Sequence, residues 1–236
     1  MEKTIRNQQF KRGMRAGLPV VLGFFPVAVS YAIIARQAGL STFQIGLMSL
    51  TVFAGASQMM AAGMIQQHAG LAAIIIATFI LNLRHFIMST CIYERMQPSS
   101  KLPRLLSAYW VTDESFALYT TEKNEDNLTV FFFLGIGLST YLAWFTGSVL
   151  GALLTGFLPE LISSSLGIAL YAMFAALLTP SLHRNGRLAL LVLLTAVCNT
   201  LLSRIMDSSW ALILSTLLCA FAGVYFVTLG VESDGQ

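Results

Sequence analysis

A short polar stretch, Asn82 to His85, lies inside the otherwise apolar run 71–88 and carries three side chains that could do chemistry. An arginine at the centre of a bilayer costs about 2.5–3.5 kcal/mol on insertion scales, so Arg84 is retained for a function or for a buried partner. Its guanidinium could hold a substrate carboxylate or pair with Asp113 or Glu114, and His85 could carry a proton. The alternatives are an arginine that reaches the membrane interface and a structural ion pair.

A second group of residues, Gly55 to Gln58, combines small and polar side chains in the segment 44–65. If the helix breaks at Gly55, then Ser57 and Gln58 lie at a new helix N-terminus, whose free N–H groups favour an anion such as a carboxylate. The alternative is close helix packing, with the Gln58 amide hydrogen-bonded across an interface.

Two adjacent acids, Asp113 and Glu114, form the third group. Mutual repulsion and burial in a half-apolar segment favour proton binding, which suits a proton relay coupled to transport. The alternative is a solvated loop end, because the polar stretch 122–126 follows closely.

Two prolines, Pro19 and Pro26, lie with Gly17 and Gly23 in the first apolar segment. Proline frees a backbone carbonyl and kinks a helix, and transporters use such positions to coordinate a substrate or an ion. Pro26 is therefore a candidate binding position. A kink that neighbouring helices accommodate is the alternative.

The composition requires lipid as the solvent for most of the chain. Of 236 residues, 56% are hydrophobic and 11% are charged, and the mean hydropathy is +0.73. Soluble domains carry roughly one quarter charged residues. We therefore predict an all-α, polytopic integral membrane protein that forms a single membrane domain over residues 1–236. The net charge of +3 comes from short basic clusters, which indicate topology and not nucleic-acid binding.

The sequence has no pattern typical of a cofactor site, a metal site or a hydrolase. The three cysteines are isolated, and neither a phosphate-binding glycine loop nor a zinc-ligand or nucleophile-elbow pattern occurs. The protein is predicted not to be an enzyme, and neither a cofactor nor a metal is expected. A membrane-embedded enzyme using His85 and Asp113 for acid–base chemistry is the weakest alternative.

Eight apolar segments are candidates for crossing the bilayer, which takes about 20 residues. The segment 105–121 contains two acids whose insertion cost exceeds what its hydrophobic residues return, and 44–65 is interrupted by small and polar residues. Both are predicted to be broken or re-entrant, which leaves about six full crossings. The eight segments are 16–35, 44–65, 70–90, 105–121, 128–157, 161–178, 188–203 and 210–229.

Basic clusters at the N-terminus, at 95–104 and at 184–187 provide a separate test of the topology. All three lie on the cytoplasmic side only if an even number of crossings separates each from the next. Three segments lie in each interval, so one in each should fail to cross fully. Both termini, including the basic residues 1–15, are predicted to be cytoplasmic. Eight full crossings are the alternative.

Small residues recur at every fourth position of the segment 128–157. Such a stripe is typical of close helix packing, within the chain or with a partner subunit. Its members are Gly135, Ser139, Ala143, Gly147, Gly151 and Thr155.

Several of these stretches, in this order, resemble the AzlC family of branched-chain amino-acid exporters. Ala-Gly-Ala-Ser-Gln, Leu-Arg-His and Thr-Asp-Glu-x-Phe are specific in combination at this spacing, although each is weak alone. The matching stretches are 17–19, 23–26, 54–58, 83–85, 112–116, 144–147 with Gly151, and 172–174.

The resemblance implies export of branched-chain amino acids, and sometimes methionine, across a bacterial inner membrane, energised by an ion gradient. It also implies a partner, a small membrane protein of the AzlD type. The chain departs from the family at two positions. Ala169 stands where many relatives carry an aspartate, which bears on coupling and substrate choice, and Met59 stands where phenylalanine is more usual.

The leading hypothesis is a secondary transporter that exports apolar amino acids by proton antiport, as the larger subunit of a two-protein complex. A membrane channel or a non-transporting membrane scaffold is the alternative. The candidate substrate-binding residues are Pro26, Gly55, Ser57, Gln58, Asn82 and Arg84. The candidate proton-coupling residues are His85, Asp113 and Glu114.

Overall fold

The computed structural model describes residues 2–124, 128–157, 186–206 and 208–233, together with Ala175 and Thr179. Every regular element within these residues is helical, which confirms the all-α prediction. Ala169 and, apart from Ala175, the predicted segment 161–178 lie outside the described residues. The α-helices are α1 (Glu2–Gln37), α2 (Thr42–Thr51), α3 (Gly55–Gln66), α4 (Leu71–Asn82), α5 (Arg84–Arg95), α6 (Lys101–Tyr109), α7 (Asp113–Thr121), α8 (Val130–Leu154), α9 (Gly186–Leu202) and α10 (Ser208–Ser233).

Three helical stretches in the described residues are long and apolar enough to cross a membrane. They are Thr4–Gln37 in α1, Leu71–Arg95 across α4 and α5, and Val130–Leu154, which is α8. Two shorter apolar stretches lie in α9 and α10, at Gly186–Leu202 and Trp210–Gly223. The chain is therefore a polytopic membrane protein, as predicted.

Helix α1 is longer than the predicted first segment and is not interrupted at its prolines. It begins at Glu2, so the basic N-terminal residues form its first turns. Pro19 and Pro26 both lie inside the helix. The Ser30 hydroxyl donates to the Pro26 carbonyl at 3.0 Å, one turn further along.

The described residues form two compact units. One unit is drawn from Met1–Gln66 and Leu81–Ala169, and the other from Gln67–Ile80 and Leu170–Gln236. In the second unit α9 packs against α10, where the Ser215 hydroxyl donates to the Asn199 side-chain oxygen at 3.4 Å.

Helices α1 and α8 cross at very short range in the first unit. A Cβ atom added at Gly135 would lie 2.2 Å from the Phe10 carbonyl oxygen, and one at Gly13 would lie 2.0 Å from the Phe132 carbonyl oxygen. Further along α8, a Cβ at Gly151 would lie 2.8 Å from the Cα of Val29. The predicted stripe of small residues is thus the face on which α8 packs against α1.

Replacing Gly135 with alanine should therefore weaken this crossing. The added methyl group meets backbone, which cannot rotate away, and overpacking of this kind costs about 1–3 kcal/mol. The expected result is a lower thermal unfolding midpoint of the purified protein in detergent. Gly63→Ala is the matched control, because a Cβ there meets nothing within 4 Å. Equal midpoints for the two variants would contradict the prediction.

The two segments predicted to be irregular are both broken helices. Helix α2 ends at Thr51 and α3 begins at Gly55, while α6 ends at Tyr109 and α7 begins at Asp113. A one-residue interruption, which the sequence did not predict, separates α4 from α5 at Leu83, where a φ of −54° and a ψ of −30° keep the backbone α-helical. The polar stretch Asn82 to His85 therefore includes this interruption.

Candidate functional site

Aromatic side chains of α6 and α8 hold the break between α2 and α3. Phe53 in this break has a φ of 34°, a conformation that non-glycine residues rarely adopt. Its ring packs edge-on against Tyr141, with the ring centroids 5.0 Å apart. The hydroxyls of Tyr109 and Tyr141 both donate to the Leu50 carbonyl, one of the carbonyls left free where α2 ends. These contacts fix the direction in which α3 leaves the break.

Helix α3 begins directly beside the indole ring of Trp144. A Cβ atom at Gly55 would lie 2.7 Å from that ring, so the close approach requires glycine. The first N–H groups of any helix have no acceptor within the helix. The helix N-terminus predicted at Gly55 is present, and it lies where Ser57 donates to the Ala54 carbonyl at 2.9 Å.

Gln58 is fully buried, and both ends of its amide are engaged. Its Nε2 donates to Ser49 Oγ at 3.2 Å, and its Oε1 accepts from Trp144 Nε1 at 3.0 Å. Ser49 in turn donates to Ser148 Oγ at 2.8 Å. Tyr31 stacks on Trp144 with ring centroids 5.8 Å apart. These contacts fit the alternative interpretation of Gln58, an amide hydrogen-bonded between helices, and its role in substrate binding stays a prediction.

Removing the indole N–H by Trp144→Phe should leave the Gln58 carbonyl oxygen buried without its partner. An unsatisfied buried polar group costs about 1–3 kcal/mol, so the variant should unfold at a lower temperature in detergent. Trp210→Phe is the control, because Trp210 is 41% exposed. A Trp144→Phe midpoint equal to that of the control would show that the hydrogen bond does not hold α3.

Polar residues on either side of Leu83 contact the first turns of α3 and α7. Asn82 Nδ2 donates to Ser57 Oγ in α3 at 3.2 Å. Arg84 Nη1 lies 2.9 Å from Asp113 Oδ2 at the start of α7, and these two side chains are 34% and 33% exposed. We call Ser57, Asn82, Arg84 and Asp113 the polar cluster. Its members lie at or near the starts of α3, α5 and α7 and at the end of α4.

Two buried atoms of the polar cluster have no hydrogen-bond partner among the described residues. They are Asn82 Oδ1, which can only accept, and Arg84 Nε, whose N–H can only donate. Leaving such atoms unpaired costs free energy. The cluster can therefore accept a hydrogen bond from a cationic N–H group and donate one to an anionic oxygen.

Asp113 and Glu114 occupy the first turn of α7, which a capping box begins. The backbone N–H of Ser115 donates to Thr112 Oγ1 at 3.2 Å, and that of Thr112 donates to Ser115 Oγ at 2.8 Å. Burial raises the pKa of the Glu114 carboxyl above its ordinary value. Glu114 therefore holds a proton to a higher pH than an exposed glutamate does.

The remaining candidates, His85 and Pro26, lie outside these contacts. His85 follows Arg84 in α5 and is half-buried, whereas Pro26 is exposed on α1. Within the described part of the chain, no hydrogen bond or ion pair joins either residue to the polar cluster. Nor does any group of three His, Cys, Asp or Glu side chains there lie close enough to hold a metal ion.

Sequence reasoning did not identify the partners of Gln58. Trp144 and Ser49 are polar or amphipathic residues in apolar helices, which is a signal, but a weak one. The Trp144–Gln58 contact joins residues 86 positions apart, and the Ser49–Ser148 contact joins residues 99 positions apart. Spacing along one helix cannot reveal such pairs.

Comparison with known proteins gives one family. The family model described as AzlC protein matches residues 19–158. The chain is 35% identical over 184 residues to a membrane protein of Archaeoglobus fulgidus, covering 77% of this chain and 80% of the relative. It is 28% identical over 187 residues to inner membrane protein YgaZ of Escherichia coli, covering 76% of each chain.

A third relative carries a functional name. The branched-chain amino acid transport protein AzlC of Bacillus subtilis is 23% identical over 145 residues, covering 61% of this chain and 57% of the relative. No solved structure matches the chain. The family match includes both broken helices and the whole polar cluster, and the chain belongs to the AzlC family of membrane proteins.

Proposed function

We propose that the chain is the larger subunit of a secondary transporter that exports branched-chain or similar apolar amino acids in exchange for protons. Family membership and the name of the Bacillus subtilis relative support an amino-acid transporter. The observation that carries the proposal is the Arg84–Asp113 ion pair at the start of α7, beside the Asn82–Ser57 hydrogen bond near the start of α3. Secondary transporters build their binding sites from discontinuous helices of this kind.

An amino acid is a zwitterion, and the polar cluster offers a partner for each of its charges. We assign the substrate carboxylate to Arg84, whose Nε–H is buried without a partner, and to the free N–H groups at the start of α3. The ammonium group is assigned to Asp113 and to Asn82 Oδ1. The substrate then replaces the Arg84–Asp113 ion pair with two charge-assisted contacts of its own.

This assignment supplies a reason for exchange with protons. The ammonium group needs Asp113 in its charged form, so a proton and a substrate compete for the same carboxylate. Competition for one site is what antiport requires, because the site then carries the substrate in one direction and the proton in the other.

Glu114 and His85 are assigned to the proton path beside Asp113. Glu114 adjoins Asp113 in the chain, and its raised pKa allows it to hold a proton for transfer. His85 adjoins Arg84, and an imidazole can both accept and donate a proton.

We propose that a small AzlD-type membrane protein completes the transporter, in keeping with the family resemblance. We place both termini in the cytoplasm of a bacterial cell, with the chain in the inner membrane, on the basis of the basic clusters.

A complementation experiment tests the two-subunit exporter. A strain lacking both genes should be sensitive to excess valine or valine-containing peptide, and both genes together should restore resistance. If this chain alone restored resistance, export would not require the proposed partner. If both genes together failed to restore resistance, that result would contradict valine export.

Counterflow in proteoliposomes separates a transporter from a channel. Unlabelled valine on one side should accelerate the entry of labelled valine from the other, because a transporter returns faster when it is loaded. A channel or scaffold shows no such acceleration. Its absence would favour the alternative function.

A further inference from the structure

Helix α6 carries two cations beside an exposed apolar surface, and neither takes part in the transport site proposed above. Leu102 and Leu105 are 67% and 70% exposed, and Leu106 is 50% exposed. Lys101 and Arg104 lie along the edge of this surface. A helix with an apolar face bordered by basic residues is typical of the membrane interface, where the leucines enter the acyl region and the cations remain among the headgroups.

A cavity of about 570 Å³ opens between α5 and α6 on the same side. Of the described residues that line it, two are cationic, two are leucines and none is acidic. The lining residues are Tyr93, Lys101, Leu102, Arg104 and Leu105.

Arg104 is held in place at this cavity. Its guanidinium lies over the Tyr93 ring, 5.1 Å from the ring centroid. The Tyr93 hydroxyl donates to the Arg104 carbonyl at 2.7 Å, which ties the same two residues together through the backbone. A guanidinium fixed in this way loses less conformational freedom when it binds an anion.

We propose that this cavity is a binding site for an anionic phospholipid, with the headgroup phosphate on Lys101 and Arg104 and an acyl chain along Leu102 and Leu105. Charge complementarity selects an anionic headgroup over a zwitterionic one. The leucines select a lipid over free phosphate, because an inorganic anion gains nothing from an apolar wall. The ligand is therefore a lipid of the surrounding bilayer.

The test is lipid retention by the purified full chain in an uncharged detergent. Native mass spectrometry would compare dioleoyl phosphatidylglycerol with dioleoyl phosphatidylcholine, which share the same acyl chains. Wild type should retain phosphatidylglycerol preferentially. Lys101→Gln/Arg104→Gln should reduce that preference by roughly tenfold or more, since each cation at a membrane surface contributes to anionic-lipid binding.

The matched control removes the same pair of charges elsewhere. Lys11→Gln/Arg15→Gln neutralises one exposed lysine and one exposed arginine of α1, and this variant should keep the preference. An equal loss in both double variants would overturn the proposal, because it would reflect the overall charge of the protein. Unchanged preference in Lys101→Gln/Arg104→Gln would overturn it as well.

Two further measurements cover the remaining outcomes. If the double variant does not fold, Lys101→Gln replaces it in the experiment. This variant changes only an exposed side chain and should still reduce the preference for phosphatidylglycerol. Millimolar inorganic phosphate should displace little bound phosphatidylglycerol. Displacement by phosphate as effective as displacement by added lipid would show a simple anion site and contradict the lipid assignment.

Discussion

Arg84→Gln should reduce valine exchange by about 10- to 100-fold. The change removes the donor assigned to the substrate carboxylate, and a hydrogen bond to a charged group contributes about 1.5–3 kcal/mol, where 1.4 kcal/mol is tenfold. It also removes the ion-pair partner of Asp113, which lies 2.9 Å away. The measurement is the initial rate of labelled valine counterflow in proteoliposomes that contain the purified chain with the proposed AzlD-type partner.

Arg36→Gln is the matched control for this prediction. Arg36 is an exposed arginine that donates to the Leu40 carbonyl at 3.0 Å, and its replacement should leave the exchange rate near that of wild type. Arg84→Lys should give an intermediate rate, because lysine keeps the charge but lacks the planar fork of donors. A folded Arg84→Gln protein with wild-type exchange would remove Arg84 from the binding site.

Acidification should weaken the apparent affinity for valine, and Asp113→Asn should abolish this pH dependence. A proton on Asp113 removes the negative charge assigned to the substrate ammonium group. The KM for valine should therefore rise as the pH falls, by at most about tenfold per pH unit for one competing proton. In Asp113→Asn, the KM should be higher at neutral pH and should no longer change with pH. The measurement is the KM for valine counterflow across a series of pH values.

Glu122→Gln provides the control for the pH experiment. Glu122 lies just beyond the end of α7, where its carboxylate accepts from the Asn124 backbone N–H at 2.8 Å, and its replacement should keep the wild-type pH dependence. If the wild-type KM instead fell on acidification, the proton would assist substrate binding. That result would indicate symport and contradict the exchange mechanism.

The sequence predicted local features of the fold well. The two adjacent acids in 105–121 make a continuous membrane helix costly there, and the small and polar residues in 44–65 weaken one. Both segments are broken helices. The stripe of small residues on α8 predicted close packing because the spacing of one helix is enough to define a face. These predictions needed only neighbours in the chain.

Features that depend on distant residues could not be predicted in the same way. The interruption at Leu83 lies where Asn82 contacts Ser57 and Arg84 contacts Asp113, and both contacts join different helices. Gln58 is a predicted binding residue, yet its amide donates to Ser49 and accepts from Trp144, which lies 86 positions away. The sequence identified Asp113 as a possible partner of Arg84, but it left the substrate carboxylate as an equal alternative partner.

A comparison of two ligands in two proteins tests most directly whether Arg84 binds the substrate carboxylate. L-valine methyl ester keeps the ammonium group and the apolar side chain of valine but has no negative charge. Equilibrium binding of valine and of its ester would be measured with wild type and with Arg84→Gln. Wild type should bind the ester at least about tenfold more weakly than valine, and Arg84→Gln should bind both with similar Kd. A folded Arg84→Gln protein that discriminates between the two ligands as strongly as wild type would contradict the claim.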